Sequence, residues 1–183
     1  MKDKIDIKSH KIMNMDPEKR ERIINASMRE FCKGYKNAST DVIVREAGIS
    51  KGLLFHYFGT KEGLYEFIIQ YSFDILGKEY FGLINVEQRD LLERLWQTTL
   101  LKMDLSYKHP DIFELMAKVY AQYRDGDGTA DGVTARIKSM QDGFGDEVLK
   151  NVFKNIDTSL FKDGIDIEKA VNIIKWTLFG YAD

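Results

Sequence analysis

The chain has 183 residues, 44% hydrophobic and 31% charged, with a formal net charge of -2. That length allows one compact domain, or a small domain joined to a medium one. The small net charge argues against an indiscriminate nucleic-acid binder, and no apolar run is long enough to span a membrane.

Residue usage favours an all-α protein in a reducing compartment. Only two prolines occur, and no period-two alternation predicts strands. The single cysteine, Cys32, excludes an internal disulfide, and no Cys/His cluster suggests a metal or other cofactor. The charged N-terminus lacks the apolar core of a signal peptide. We therefore expect a soluble, cytoplasmic protein that needs no cofactor and does not bind membranes.

The first predicted helix follows a flexible arm. Residues 1–15 show no periodicity, and Asp16-Pro17 then forms a cap and first-turn proline for a helix at 17–33. An apolar stripe with spacings of four, three and four runs along this helix through Ile24, Met28, Phe31 and Tyr35.

Two short helices and a longer one come next. Ser39 or Thr40 caps the second helix, and Gly48 ends it. Ser50 caps a third helix at 51–57, and Thr60 caps a fourth. Two short helices joined by a glycine-containing turn form a helix-turn-helix unit, here at 40–59.

Four longer helices are predicted beyond Phe81. Their ranges are 87–107, 110–123, 132–155 and 166 to the end. The stretch 124–132, rich in glycine and aspartate, separates the second from the third of these. Its alternating oxygens suggest a calcium loop, but the required Glu and Gly are absent, so a linker is the better interpretation. The last helix is still apolar at Asp183, so we expect a further C-terminal segment or a partner to complete it.

The segment GISKGLLFHYFGTK at 48–61 carries more bulky apolar side chains than a short helix can bury. Successive helical residues rotate by about 100°. With Leu54 pointing to the core, Phe58 joins it inside. The exposed face then consists of Gly52, Leu53, Phe55 and His56, bordered by Lys51 and Tyr57.

This exposed face suits the major groove of DNA. Gly52 allows close approach of the backbone, and the apolar side chains fit thymine methyls or sugars. Lys51, His56 and Tyr57 are donors for phosphates or base edges. Lys61 adds its charge at a helix N-terminus, where free N–H groups favour an anion. We therefore expect a DNA-reading helix with a phosphate clamp.

Charge is unevenly distributed along the chain. Residues 1–65 hold 13 Lys/Arg and 9 Asp/Glu, whereas residues 66–183 hold 14 and 20. A basic N-terminal part favours DNA binding over the alternative for 40–59, a helical hairpin that touches no nucleic acid.

Three motifs within residues 23–68 carry a family resemblance. They are Ala26, Phe31 and Gly34-Tyr35 in the first helix, the turn Ala47-Gly48-Ile49-Ser50-Lys51-Gly52, and the segment His56-Tyr57-Phe58-x-x-Lys61-Glu62-x-Leu64. In order and spacing they resemble the DNA-binding domain of the TetR family of bacterial transcriptional regulators.

The resemblance implies a two-part homodimer that binds a double-stranded DNA operator. The head, residues 16–62, would be the helix-turn-helix DNA-binding domain with three helices. The body, residues 63–183, would be the helical ligand-binding and dimerisation domain.

Family phosphate contacts would fall on Thr40, Tyr57 and Lys61. The chain departs from the family at Leu53, where Thr is usual, and at Phe55, where Tyr is usual. Two hydroxyl donors to the DNA backbone are therefore missing, and each is worth only about 0.5–1.5 kcal/mol net.

The body is rich in adaptable and aromatic side chains that are candidates for lining an apolar effector cavity. They are Trp96, Met103, Tyr107, Phe113, Met116, Tyr120, Met140, Phe144 and Trp176. We expect a repressor released from its operator by a small lipophilic or aromatic molecule. The alternative is a DNA-bound adaptor controlled by a protein partner. His10, His56 and His109 form no catalytic constellation, so we do not expect an enzyme.

Overall fold

The computed structural model describes residues 6–125 and 131–179, and within these ranges the regular elements are α-helices and short 3-10 turns. The all-α prediction is confirmed. The α-helices are α1 (Pro17–Phe31), α2 (Thr40–Ala47), α3 (Lys51–Phe58), α4 (Lys61–Phe81), α5 (Leu91–Lys108), α6 (Pro110–Asp125), α7 (Asp131–Val152) and α8 (Ile167–Phe179). None of the helices in the described ranges is long and apolar enough to cross a membrane.

Side-chain caps set the starts of the first four helices. In each case a side-chain oxygen accepts a hydrogen bond from a first-turn N–H, and the capping residues are Asp16, Ser39, Ser50 and Thr60. Gly48 ends α2 in the left-handed conformation, with φ 66°. A side chain there would be strained, so the tight turn between α2 and α3 depends on glycine.

Residues 6–15 do not form the flexible arm that the sequence predicted. They fold into two 3-10 turns, Ile7–Ser9 and Lys11–Asn14, and bury Ile7 and Ile12 in the main core. The His10 ring stacks on Phe58, with centroids 5.5 Å apart. Turns of three or four residues are too short to show a hydrophobic period, which is why the sequence pattern missed them.

The main core is continuous from the head into the body. Buried side chains of α1, α2 and α3 pack with those of α4, α6 and α7. Helix α4 carries this continuity, because it begins in the head at Lys61 and ends in the body at Phe81. The predicted boundary between residues 62 and 63 therefore falls inside one helix, and it stays a prediction.

A second, smaller core lies farther along the body, around Ile84, Val148 and Val152. Arg94 of α5 is fully buried beside it and donates to four backbone carbonyls, Val152 O at 3.0 Å, Val86 O at 2.9 Å, Gln88 O at 2.7 Å and Lys154 O. One side chain thus ties α5 to the end of α7 and to the α4–α5 loop. The apolar pattern of α5 could not reveal it, because a charged residue occupies the core position.

Helix bounds in the body differ from the predictions by a few residues. Helix α5 starts at Leu91 instead of 87, because the Asp90 side chain accepts from the N–H groups of Leu92 and Glu93. Helix α7 ends at Val152 instead of 155. Most of the predicted linker 124–132 lies outside the described residues.

Candidate nucleic-acid interface

Helix α3 presents the face that its sequence spacing predicts. Leu54 and Phe58 are buried, with 1% and 8% of their surface exposed, whereas Gly52 and His56 are exposed. Leu53 is half-buried, as is Phe55. We call the outer residues the α3 surface; they are Lys51, Gly52, Leu53, Phe55, His56 and Tyr57.

The α3 surface is held from behind by aromatic packing. Phe58 lies against Phe67 of α4, with ring centroids 5.2 Å apart, and His10 covers both rings. Tyr57 is half-buried against the same core, and its ring meets His56 edge-on at 5.2 Å. This packing fixes the orientation of α3 on the head.

A glycine that the sequence analysis did not single out sets the angle between α3 and α4. A Cβ on Gly63 would lie 2.3 Å from the carbonyl oxygen of Phe58. Real Cβ atoms do not approach an oxygen that closely, so only glycine lets the first turn of α4 pass beneath the end of α3. Only the structure shows this role of Gly63. In the sequence, the GxxxG-like spacing of Gly59 and Gly63 fits an ordinary turn equally well.

Lys61 is the first residue of α4, and its ammonium is held near an aromatic ring. Its Nζ lies 4.6 Å from the ring centroid of Tyr35. The Tyr35 hydroxyl donates to Glu62 Oε1 at 2.6 Å. Partial burial lowers the pKa of Lys61, while the charges of Glu62 and Glu30 oppose the shift. The cation is thus positioned at a helix N-terminus, where an anion is favoured.

Lys51 is already engaged with a carboxylate. Its Nζ lies 2.7 Å from Asp41 Oδ1, and both side chains are exposed. Asp41 stands next to Thr40, the half-buried first residue of α2. A phosphate that binds Lys51 must therefore compete with Asp41, a residue that the sequence analysis did not consider.

The nine predicted effector contacts are not gathered around one cavity. Trp96 is 58% exposed and Tyr107 is 81% exposed, and both lie on α5. Met103, Tyr120 and Trp176 are exposed as well. The other four, Phe113, Met116, Met140 and Phe144, are half-buried and pack against the main core. Helical spacing cannot tell which apolar stripe is covered by a neighbour, and the assignment of these nine residues to an effector site stays a prediction.

A cleft of about 330 Å³ lies elsewhere, where α1 meets α4 and the turn between α5 and α6. None of the nine predicted effector residues lines it. Its walls come from segments far apart in the sequence, and no sequence pattern links them. Across the described ranges, no three His, Cys, Asp or Glu side chains lie close enough together to hold a metal ion.

A protein-family model matches the N-terminal part of the chain. The model of the family "Bacterial regulatory proteins, tetR family" matches residues 23–68. This range contains α2, α3 and the start of α4, and therefore every residue of the α3 surface.

Curated relatives match the same end of the chain. YuxN, an HTH-type transcriptional regulator of Bacillus subtilis, is 28% identical over 110 residues, which is 60% of this chain and 35% of that protein. BetI 2 of Chromohalobacter salexigens is 40% identical over 55 residues, covering 30% of this chain and 27% of the relative. BetI of Yersinia pestis is 36% identical over 78 residues, covering 40% and 39%. The matched stretches thus span about a third of the length of these relatives.

Solved structures match over most of the described fold. A Clostridium perfringens chain, described as a candidate regulator of fatty acid metabolism, has a TM-score of 0.64 at 18% identity and covers 88% of this chain and 83% of its own. A candidate transcriptional regulator from Pseudomonas aeruginosa PAO1 has a TM-score of 0.61 at 18% identity, covering 94% and 81%. At that identity the likeness concerns the fold alone.

The proteins matched are named as regulators, in agreement with the expectation that the chain is not an enzyme. Residues 23–68 thus match the TetR family of bacterial regulatory proteins, and the described all-helical fold is similar to that of the two solved structures.

Proposed function

We propose that the chain is a sequence-specific, DNA-binding transcriptional regulator, and that it represses from an operator until a small molecule releases it. The observation that carries the proposal is the α3 surface, where a helix backed by a rigid aromatic core leaves its glycine and histidine to solvent. A helix of this kind fits the major groove.

Each part of the surface has a role in the proposed complex. A Cβ on Gly52 would meet no atom within 4 Å, so the backbone there is open to a DNA groove. Leu53 and Phe55 would contact thymine methyls or sugars, and His56 would donate to a base edge. Lys51, together with Thr40, Tyr57 and Lys61, would bind phosphates.

The operator complex is proposed to contain a homodimer. Helix α8 exposes Ile173 and Trp176, at 63% and 67%, although an apolar face of that kind is normally covered. Pairing of two copies through α8 would set the two α3 helices roughly 34–36 Å apart, one turn of DNA. An effector that favours a different spacing would weaken binding.

Control by a protein partner remains the second candidate, and one observation favours it. Helix α5 exposes an apolar stripe at helical spacing, through Leu92, Trp96, Met103 and Tyr107. Such a stripe suits a partner helix, whereas a small-molecule site is a concave cleft or cavity. Measuring operator affinity with and without a bacterial extract depleted of molecules below protein size separates the two modes of control.

The DNA-binding proposal is tested with Lys61→Ala. Fragments retained from sheared genomic DNA supply the operator, and fluorescence anisotropy gives the affinity over a range of salt concentrations. Loss of one phosphate contact should weaken binding to operator and unrelated duplex alike, and should reduce the salt slope by about 1. Lys118→Ala removes an exposed lysine of α6 and serves as the control. An unchanged slope in Lys61→Ala would remove Lys61 from the interface.

A further inference from the structure

The cleft between head and body is lined by both apolar and polar side chains. Its walls combine α1 of the head, α4, and the α5–α6 turn of the body. The apolar lining comes from Ile24, Met28, Ile75 and Ile112. Its volume of about 330 Å³ lies at the lower end of the range for small-molecule sites.

Two polar side chains that line this cleft have unused hydrogen-bonding capacity. Arg20 donates from Nη1 to Met13 O at 2.9 Å, and in the described part of the chain no carboxylate forms an ion pair with it. Tyr71 lines the same cleft and is half-buried. Burial raises the pKa of Tyr71, the charge of Arg20 opposes that shift, and the charge of Glu21 adds to it. A cation and a hydroxyl donor thus line the same cleft.

The carboxylates around the cleft are either paired or exposed to solvent. Glu79 accepts from Lys108 at 2.7 Å and lies 3.1 Å from His109 Nε2, so its charge is already balanced. Glu21 and Asp111 line the cleft but are exposed to solvent, which partly screens their charges, although the charge of Glu21 still raises the pKa of Tyr71. The half-buried interior therefore favours a negative group near Arg20.

We infer that this cleft binds a small carboxylic acid with an apolar body. Its carboxylate would accept from the Arg20 guanidinium and the Tyr71 hydroxyl, while the apolar part would lie against Ile24, Met28 and Ile75. Arg20 and a carboxylate form charge-assisted hydrogen bonds, the stronger kind in proteins.

The position of the cleft gives occupation a regulatory consequence, which rests on the proposed function. Helix α1 belongs to the head, and the α5–α6 turn belongs to the body. A ligand that contacts both stabilises one arrangement of head and body over others, and can shift operator affinity by its difference in affinity for those arrangements.

Isothermal titration calorimetry with phenylacetate tests the binding site without DNA. Phenethylamine, with the same ring but a positive charge, is the matched probe. We expect phenylacetate to bind and phenethylamine to bind at least about tenfold more weakly. Equal affinity for the two probes, or no binding of phenylacetate, would overturn the inference.

Variants locate the bound carboxylate. Tyr71→Phe keeps the ring packing and removes the hydroxyl, and Arg20→Gln removes the charge. Each should weaken phenylacetate binding about tenfold or more, whereas Lys19→Gln, which changes a neighbouring cation outside the cleft, should not. Wild-type affinity in Tyr71→Phe and Arg20→Gln would overturn the site even if phenylacetate binds the protein.

Anisotropy on the operator then tests the regulatory consequence. Saturating phenylacetate should change wild-type operator affinity and leave that of Arg20→Gln unchanged. Wild-type affinity that does not respond would overturn the coupling. A protein that binds phenylacetate but no genomic fragment would contradict the proposed function and leave the binding site standing, so the two failures are distinguishable.

Discussion

At the scale of single residues, the head contains an acidic group where DNA would bind. Asp41 holds Lys51 at 2.7 Å, on the side of the head that carries the α3 surface. An exposed ion pair of this kind is worth about 0–1 kcal/mol, so a phosphate can displace it. In the proposed complex the pair would lower DNA affinity slightly without preventing binding.

Asp41→Asn should raise affinity for operator and unrelated duplex alike, by about two- to fivefold, because Lys51 is released and a negative charge is removed. Anisotropy at low salt measures the change. Glu46→Gln is the control, since it makes the same charge change on α2 and breaks the exposed pair with Arg29, 2.9 Å long. If Glu46→Gln raised DNA affinity as much as Asp41→Asn does, Asp41 would have no specific role at the interface.

At the scale of elements, the junction of α3 and α4 positions the α3 surface. Thr60 caps α4, Phe58 packs on Phe67, and Gly63 permits the close approach of the two helices. The segment of residues 6–15 covers the back of this junction through His10. The orientation of α3 therefore depends on contacts outside the helix-turn-helix itself.

Gly63→Ala should lower the free energy of unfolding by about 1–3 kcal/mol, because the new methyl group overlaps the Phe58 carbonyl and backbone must shift. Urea denaturation measures the loss. Gly143→Ala is the matched control, since Gly143 lies in α7 with open space around it, and alanine there should stabilise by about 0.5–1 kcal/mol. Equal stability of the two variants would refute the packing argument.

Acidification should release the 6–15 segment. Burial, and then the charge of Lys11, lower the pKa of His10 below its ordinary value, and its Nδ1 accepts from the N–H of Ile12 at 3.3 Å. The neutral ring therefore stabilises the fold above the ordinary pKa of about 6.5, and this contribution is lost as pH falls through the lower folded-state pKa.

Urea denaturation between about pH 7.5 and 5 measures this loss, with His10→Phe as the reference that keeps an aromatic ring. Wild-type protein should lose stability on acidification more steeply than His10→Phe. Parallel pH profiles for the two proteins would show that His10 does not titrate in the docked segment.

At the scale of the whole molecule, local rules predicted the head well. Caps at Asp16, Ser50 and Thr60, and the left-handed turn at Gly48, are read directly from residue type. The burial of Leu54 and Phe58 follows from rotation along one helix. These features need no knowledge of distant parts of the chain, and the family motifs lie among them.

Long-range packing was not predictable in the same way. In the sequence, Arg94 looks like a surface cation. In the structure it is buried and donates to the carbonyls of Val152 and Lys154, up to 60 residues away in sequence. Trp96 and Tyr107 look like cavity lining but face solvent. Whether a side chain is covered depends on which helix lies opposite, and a single sequence does not contain that pairing.

The central claim is that the α3 surface binds the operator, and a comparison of Gly52→Glu with Gly143→Glu tests it most directly. Both glycines are exposed within helices, a Cβ would meet no atom within 4 Å at either, and both changes add one negative charge. Since glycine disfavours helix, both variants should melt at or above the wild-type temperature. Operator affinity by anisotropy should fall about a hundredfold in Gly52→Glu alone, because the carboxylate would face DNA phosphates. Equal operator affinity in the two variants would contradict the claim.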